Sequence, residues 1–124
     1  MITGLGVDIV EIDRIQAAVK QYGDSFLNRI FTSGEINYCT KRRSFKFPEL
    51  AARFAAKEAY AKAVGTGMRG IHWKEIEVVN EKSGKPRIAI LGKIRQNVLV
   101  TLSHSLTYSV ACVVIDGTSK KRNK

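Results

Sequence analysis

Apolar and polar residues alternate over positions 2–10, ITGLGVDIV, and this period of two predicts a first strand. Leu5, Val7 and Ile9 fall on one face, and Gly4, Gly6, Asp8 and Val10 on the other, so the aliphatic face reads as core. From Glu11 to Gly23 the period becomes helical, with Ile12, Ile15, Ala18 and Val19 inward and Arg14, Lys20 and Gln21 outward. A short helical turn over 25–30 follows. A helix then runs from Thr32 to about Lys41, opened by the Thr32/Glu35 spacing of a capping box. Phe47 to Gly65 reads as one helix, with Pro48 in its first turn, Glu49 near the positive end of the dipole and Gly65 as a stop. Its alanines cover most of the circumference, the pattern of a helix buried on nearly all sides. Residues 73–80 alternate as a strand, Ser83-Gly84-Lys85-Pro86 is a turn, and Arg87 to Leu91 returns as a hairpin partner. Gly92 to Gln96 reads as a short helix, and 98–104 and 108–115 as two apolar strands. Helices followed by strands around one sheet give an α+β fold: a single domain over 1–117, its mostly antiparallel sheet packed around the long helix, with a basic, disordered tail over 118–124.

Composition narrows the class without choosing it. At 44% hydrophobic residues, 124 positions suffice for a real core. Residues 1–10 lack a basic n-region and carry Asp8 and two glycines, so they do not read as a signal peptide, and no apolar run has membrane-spanning length. Cys39 and Cys112 are too few for a disulfide scaffold and lack metal-site spacing, which points to reduced thiols in a cytoplasmic protein. The net charge of +10 calls for an anionic partner: nucleic acid, an anionic membrane, a phosphorylated small molecule or an acidic protein. Part of that excess sits in the tail and in a basic loop, Lys41-Arg42-Arg43-Ser44-Phe45-Lys46.

Two carboxylates stand out from this background. Asp8 is an aspartate in a strand beside two glycines, which let another backbone or a ligand come close. Glu58 lies on the stripe of the long helix with Phe54, Ala61 and Gly65, away from Arg53 and Lys57, where a charge is costly unless paired. Lys62, one turn on, offers either an i,i+4 ion pair or a contact to a ligand. Gly65-Thr66-Gly67 suits a helix cap and turn, or a nest of N–H groups for phosphate. His104, in phase with Val98, Val100 and Leu102 and bracketed by Ser103, Ser105 and Thr107, reads as a core histidine or as part of a polar rim at a strand end. Gly4-Leu5-Gly6 is not a dinucleotide fingerprint, because Ile9 stands where its third glycine belongs. Two carboxylates with Arg53, Lys57 and Lys62 suit magnesium and a polyphosphate, whereas two histidines outside any ligand motif do not suit zinc. The residues thus point to a magnesium-dependent enzyme acting on a phosphoanhydride. A small basic nucleic-acid-binding module is the alternative, and a basic scaffold a third reading. Both leave Asp8 and Glu58 unexplained.

The segments GLGVDIVEIDRI (4–15), FTSGEINYC (31–39), RFAAKEAYAKAVGTG (53–67), SGKP (83–86) and SHSLTYSVACVV (103–114) resemble, in order, the holo-[acyl-carrier-protein] synthases, the small bacterial class of 4′-phosphopantetheinyl transferase. Ser109, where that family often has alanine, and the basic tail depart from the pattern. The resemblance implies that fold and a cytoplasmic, magnesium-dependent enzyme of fatty acid biosynthesis. It implies transfer of 4′-phosphopantetheine from coenzyme A to a serine of an acidic acyl carrier protein, releasing 3′,5′-ADP. It puts Asp8 and Glu58 on the magnesium ligands and Lys62 on a lysine that contacts the coenzyme A phosphates, these three being catalytic. Arg53, Lys57, Gly65, Thr66, Lys85, Pro86, Ser103, His104 and Thr107 fall in motifs that line the coenzyme A groove, and Arg14 on an arginine that faces the carrier protein. The proton of the attacking serine goes to Glu58, directly or through a hydroxide that it orients. The assembly implied is a homotrimer with each site between subunits, with neither nucleic acid nor membrane as partner.

Overall fold

The alanine-rich segment forms the axis of the molecule. The computed structural model describes residues 1–117, and the tail expected over 118–124 lies outside the described residues. Strand β1 (Ile2–Glu11) leads into helices α1 (Ile12–Tyr22), α2 (Asp24–Ile30) and α3 (Ser33–Tyr38), the last opened by a complete Thr32/Glu35 capping box. A two-residue ladder, β2 (Thr40–Lys41) and β3 (Ser44–Phe45), precedes α4 (Phe47–Val64). Gly65 ends α4 in the left-handed region at φ 100°, where glycine carries no Cβ penalty. A 3-10 turn at Trp73–Glu75 leads to β4 (Ile76–Asn80), β5 (Pro86–Ile90), β6 (Lys93–Ile94), β7 (Val98–His104) and β8 (Tyr108–Asp116).

Three ladders replace the one sheet expected: β1-β8-β7, β2-β3 and β4-β5-β6, all antiparallel. The helix expected over Gly92–Gln96 is instead a tight turn at Leu91-Gly92 followed by β6, because both turn residues take positive φ and reverse the chain. Helix α3 stops at Tyr38, short of Lys41, and the basic loop folds back as the β2–β3 hairpin with Arg42 and Arg43 at positive φ.

The faces of β1 are the reverse of the expectation. Gly4, Gly6 and Val10 pack inward, whereas Leu5, Val7 and Ile9 are more than half exposed. The glycines decide this. A Cβ on Gly4 would run into the Ala63 carbonyl and one on Gly6 into the Ala59 carbonyl, so α4 touches β1 backbone to backbone. Alanine on the facing stripe of α4 completes the fit, and Ala55, Ala56, Ala59 and Ala63 join Leu50, Ala111 and Val113 in the core. Asp8 shares this inner face, and Gly6, two residues before it, lets β1 lie close against α4.

Candidate active site

Glu58, Lys62 and Gly65 follow one another at i, i+4 and i+7, so one stripe of α4 presents them together along β1. Asp8 lies opposite that stripe. Lys62 Nζ donates to Asp8 Oδ1 and to the Val7 carbonyl, each at 3.1 Å, and so reaches across to β1 rather than back to Glu58. Glu58 is half-buried and makes no ion pair among the described residues. Burial raises its pKa, Asp8's charge raises it further, and Lys62 works in the other direction. Asp8 lies near enough for its charge to raise the proton affinity of Glu58, and two carboxylates so placed, with hard oxygen donors and few protein ligands, could hold a divalent cation. Among the described residues no third His, Cys, Asp or Glu joins them, which suits magnesium, with most of its shell left to water and substrate, better than zinc. Gly65 and Thr66 lie exposed at the end of the same stripe. The N–H groups of Gly65 and Gly67 both donate to the Ala61 carbonyl, and the Thr66 hydroxyl to the Gly67 carbonyl. The segment is therefore a helix cap, and the two glycine donors of the proposed phosphate nest are already engaged.

A second group of expected residues lies on the opposite edge of the sheet. Across the ladders Asp8 pairs with Ala111 and Ala111 with Leu102, which puts the carboxylates at the β1 edge and Leu102 at the β7 edge. There a cavity of about 460 Å³ is lined by Arg53, Pro86, Ser103 and His104, four of the expected residues. Arg53 is fully buried. Its Nη1 donates to Glu49 Oε1 at 2.8 Å and its Nη2 to Asn80 Oδ1 at 2.7 Å, while its guanidinium stacks on Tyr38 at 4.6 Å. Arg53 Nε is buried and has no hydrogen-bond partner among the described residues. Lys85 is exposed in the turn before Pro86. Thr107 lies outside the lining, its carbonyl accepting from the Ile12 N–H and so tying the β7–β8 turn to the start of α1. His104 is exposed at the strand end with Nδ1 3.4 Å from the Ser105 carbonyl, the polar rim and not the core histidine. Arg14 stands exposed on α1.

Lys57 does not belong to the groove. Its side chain is wholly buried, with Nζ 2.7 Å from Glu35 Oε1 and donating to the carbonyls of Ile30, Trp73 and Ile76 at 2.9, 3.1 and 2.6 Å. Every ammonium proton is engaged and no solvent reaches it, so a ligand cannot. Glu35 is satisfied in turn, accepting from Thr32 N at 3.0 Å and Val78 N at 2.7 Å. Tyr38, Glu49, Asn80 and Thr101 line the cavity without having been expected to. Asn80 alone carried a signal, as an asparagine closing an aliphatic strand. The departure at Ser109 is harmless, its buried hydroxyl donating to the Pro48 carbonyl at 2.8 Å.

Comparison with known proteins identifies the family. Residues 4–113 match the family model described as the 4′-phosphopantetheinyl transferase superfamily. The chain is 46% identical over 122 residues to the holo-[acyl-carrier-protein] synthase of Protochlamydia amoebophila, spanning 92% of this chain and 98% of that relative. Its structure is similar to that of the Bacillus anthracis holo-(acyl-carrier-protein) synthase in complex with CoA (3′,5′-ADP), at 39% identity and TM-score 0.76 over 93% of this chain and 96% of that one. The Neisseria meningitidis holo-[acyl-carrier-protein] synthase gives a TM-score of 0.79 at 35% identity, over 94% and 99% of the two chains. The chain belongs to the 4′-phosphopantetheinyl transferase superfamily, as an enzyme of its holo-[acyl-carrier-protein] synthase family.

Proposed function

We propose that this enzyme transfers 4′-phosphopantetheine from coenzyme A to a serine of an apo-acyl carrier protein and releases 3′,5′-ADP. The observation that carries the reading is the meeting of Asp8, Glu58 and Lys62 at the seam of β1 and α4. The B. anthracis relative, in complex with CoA (3′,5′-ADP), supports it. Asp8 and Glu58 would hold magnesium, which when bound offsets charge on the pyrophosphate and on the leaving oxygen. The serine hydroxyl attacks the β-phosphorus, the bond from that phosphorus to the oxygen of 3′,5′-ADP breaks, and the hydroxyl proton passes to Glu58. A carboxylate whose pKa is raised by its setting is the better proton acceptor of the pair. Lys62, its side chain half-exposed, neutralises the equatorial phosphate oxygens. The cavity at the β7 edge would take the nucleotide, with Arg53, Pro86, Ser103 and His104 around it.

In one chain the carboxylates and that cavity lie on opposite edges of the sheet with α4 between them. A second copy resolves this, because a β7 edge laid against a neighbour's β1 edge completes the site. That contact is head-to-tail, and head-to-tail contacts form a ring where the rotation between copies closes. The outer sheet face supplies the apolar surface: Leu5, Val7, Ile9 and Leu99 are each more than half exposed, with Val110, Cys112 and Val114 between them. We read the assembly as a homotrimer. Arg14 on α1 and the +10 net charge would draw an acidic carrier protein to the surface. The two unpaired cysteines fit a cytoplasmic setting. The test is to incubate the protein with apo-carrier protein, coenzyme A and magnesium, and weigh the carrier by mass spectrometry. A phosphopantetheine increment that disappears with Asp8→Ala is expected. An unmodified carrier at full coenzyme A occupancy contradicts the proposal.

A further inference from the structure

Lys62 has two claims on it. Its Nζ sits 3.1 Å from Asp8 Oδ1 and 3.1 Å from the Val7 carbonyl, and in the function proposed above the substrate phosphates take the same ammonium. The lysine side chain is 53% exposed and Asp8 only 18%, so the cation is free to leave and the carboxylate is not. While it holds Oδ1, the ammonium sets a positive charge close to any divalent cation that Asp8 would accept through either oxygen, and that repulsion disfavours the cation. We propose that Lys62 is a gate on the metal site: its ammonium holds Asp8 until a substrate phosphate draws it away, and the freed oxygen then accepts the cation. This rests on the reading of Asp8 and Glu58 as the metal's donors.

The groups that face Lys62 are few. Asp8 and the Val7 carbonyl come from β1, and Glu58 lies one turn earlier on α4. Glu58 feels the lysine's charge but does not bind it, so leaving Asp8 costs Lys62 its only ion pair among the described residues. A phosphate oxygen restores one. Binding of cation and of coenzyme A is thereby coupled through one side chain, and coupling is reciprocal: each ligand tightens the other by the same factor. The gate keeps a divalent cation from settling on an enzyme that carries no substrate.

Mn²⁺ binding read by electron paramagnetic resonance tests this without any turnover. Lys62→Gln, at an exposed position, should bind Mn²⁺ alone roughly five- to tenfold more tightly than wild type. The factor by which saturating coenzyme A tightens Mn²⁺ should be smaller in that variant. Lys82→Gln, a charge-matched change in an exposed turn, should match wild type, and adding Asp8→Asn to Lys62→Gln should abolish the gain. Equal or weaker Mn²⁺ binding by Lys62→Gln overturns the gate while leaving the metal site standing. Binding that ignores Asp8→Asn overturns the metal reading and the gate with it.

Discussion

A side chain's surroundings, more than its type, assign its task, and Glu58 and Lys57 show this from adjacent positions. Burial and then Asp8 raise the pKa of Glu58, so the folded protein holds that proton more tightly than the unfolded chain does. The stability linked to it is complete below the ordinary glutamate range and is lost as pH rises through the raised value. Glu58→Gln should therefore melt higher than wild type at pH 7 in EDTA, with the gap closing near pH 4. A wild type that is the more stable at pH 7 would contradict the assignment. Lys57 is the opposite case, a buried charge fully answered by Glu35 and three carbonyls. Lys57→Met should cost about 3–5 kcal/mol in urea unfolding, because Glu35 stays buried without its cation, and Glu35→Gln in the same chain should recover much of the loss. An additive double variant would show that the pair is not coupled. The sequence showed that a charge on an alanine-rich helix needs a partner. It could not show which, because Glu35 arrives from α3 and the carbonyls belong to the backbone of α2, the 3-10 turn and β4.

Between elements, the contact of β1 with α4 sets the site. Gly6 lets the Ala59 carbonyl approach until no Cβ fits between them, and that approach is what brings Asp8 to the stripe of Glu58 and Lys62. Gly6→Ala should lower stability by about 2–3 kcal/mol, since the obstructing atoms are backbone and cannot swing aside. An unchanged denaturation midpoint would mean that the helix does not lie so close. The glycines were legible as places of close approach. Which face of β1 forms the core was not, because alternation marks an apolar face without saying whether the chain's own helix or another copy covers it. The short segment after Gly92 was not legible as a strand either, because Lys93-Ile94-Arg95-Gln96 is too short and too polar to show a period, and the positive-φ turn at Leu91-Gly92 sets it against β5.

At the scale of the whole molecule, the carboxylates lie at one sheet edge and the nucleotide-sized cavity at the other. Asp8 and Glu58 were legible because each puts a carboxylate where local rules disfavour one, and Lys62 was legible only through its place one turn after Glu58. Tyr38 and Thr101 were not, since a tyrosine ending a helix and a threonine within a strand break none. The sharing of one site between copies is the central claim, and mixing two damaged enzymes tests it most directly. Asp8→Asn removes the metal's half, and His104→Glu sets a carboxylate against the substrate phosphates in the other half. Each alone should lose activity by at least ~100-fold. Co-assembled at equal amounts, they should regain about a quarter of wild-type activity, because a head-to-tail ring brings an intact Asp8 beside an intact His104 at about one site in four. Activity no greater than the sum of the two separate variants would place the whole site within one chain and contradict the account.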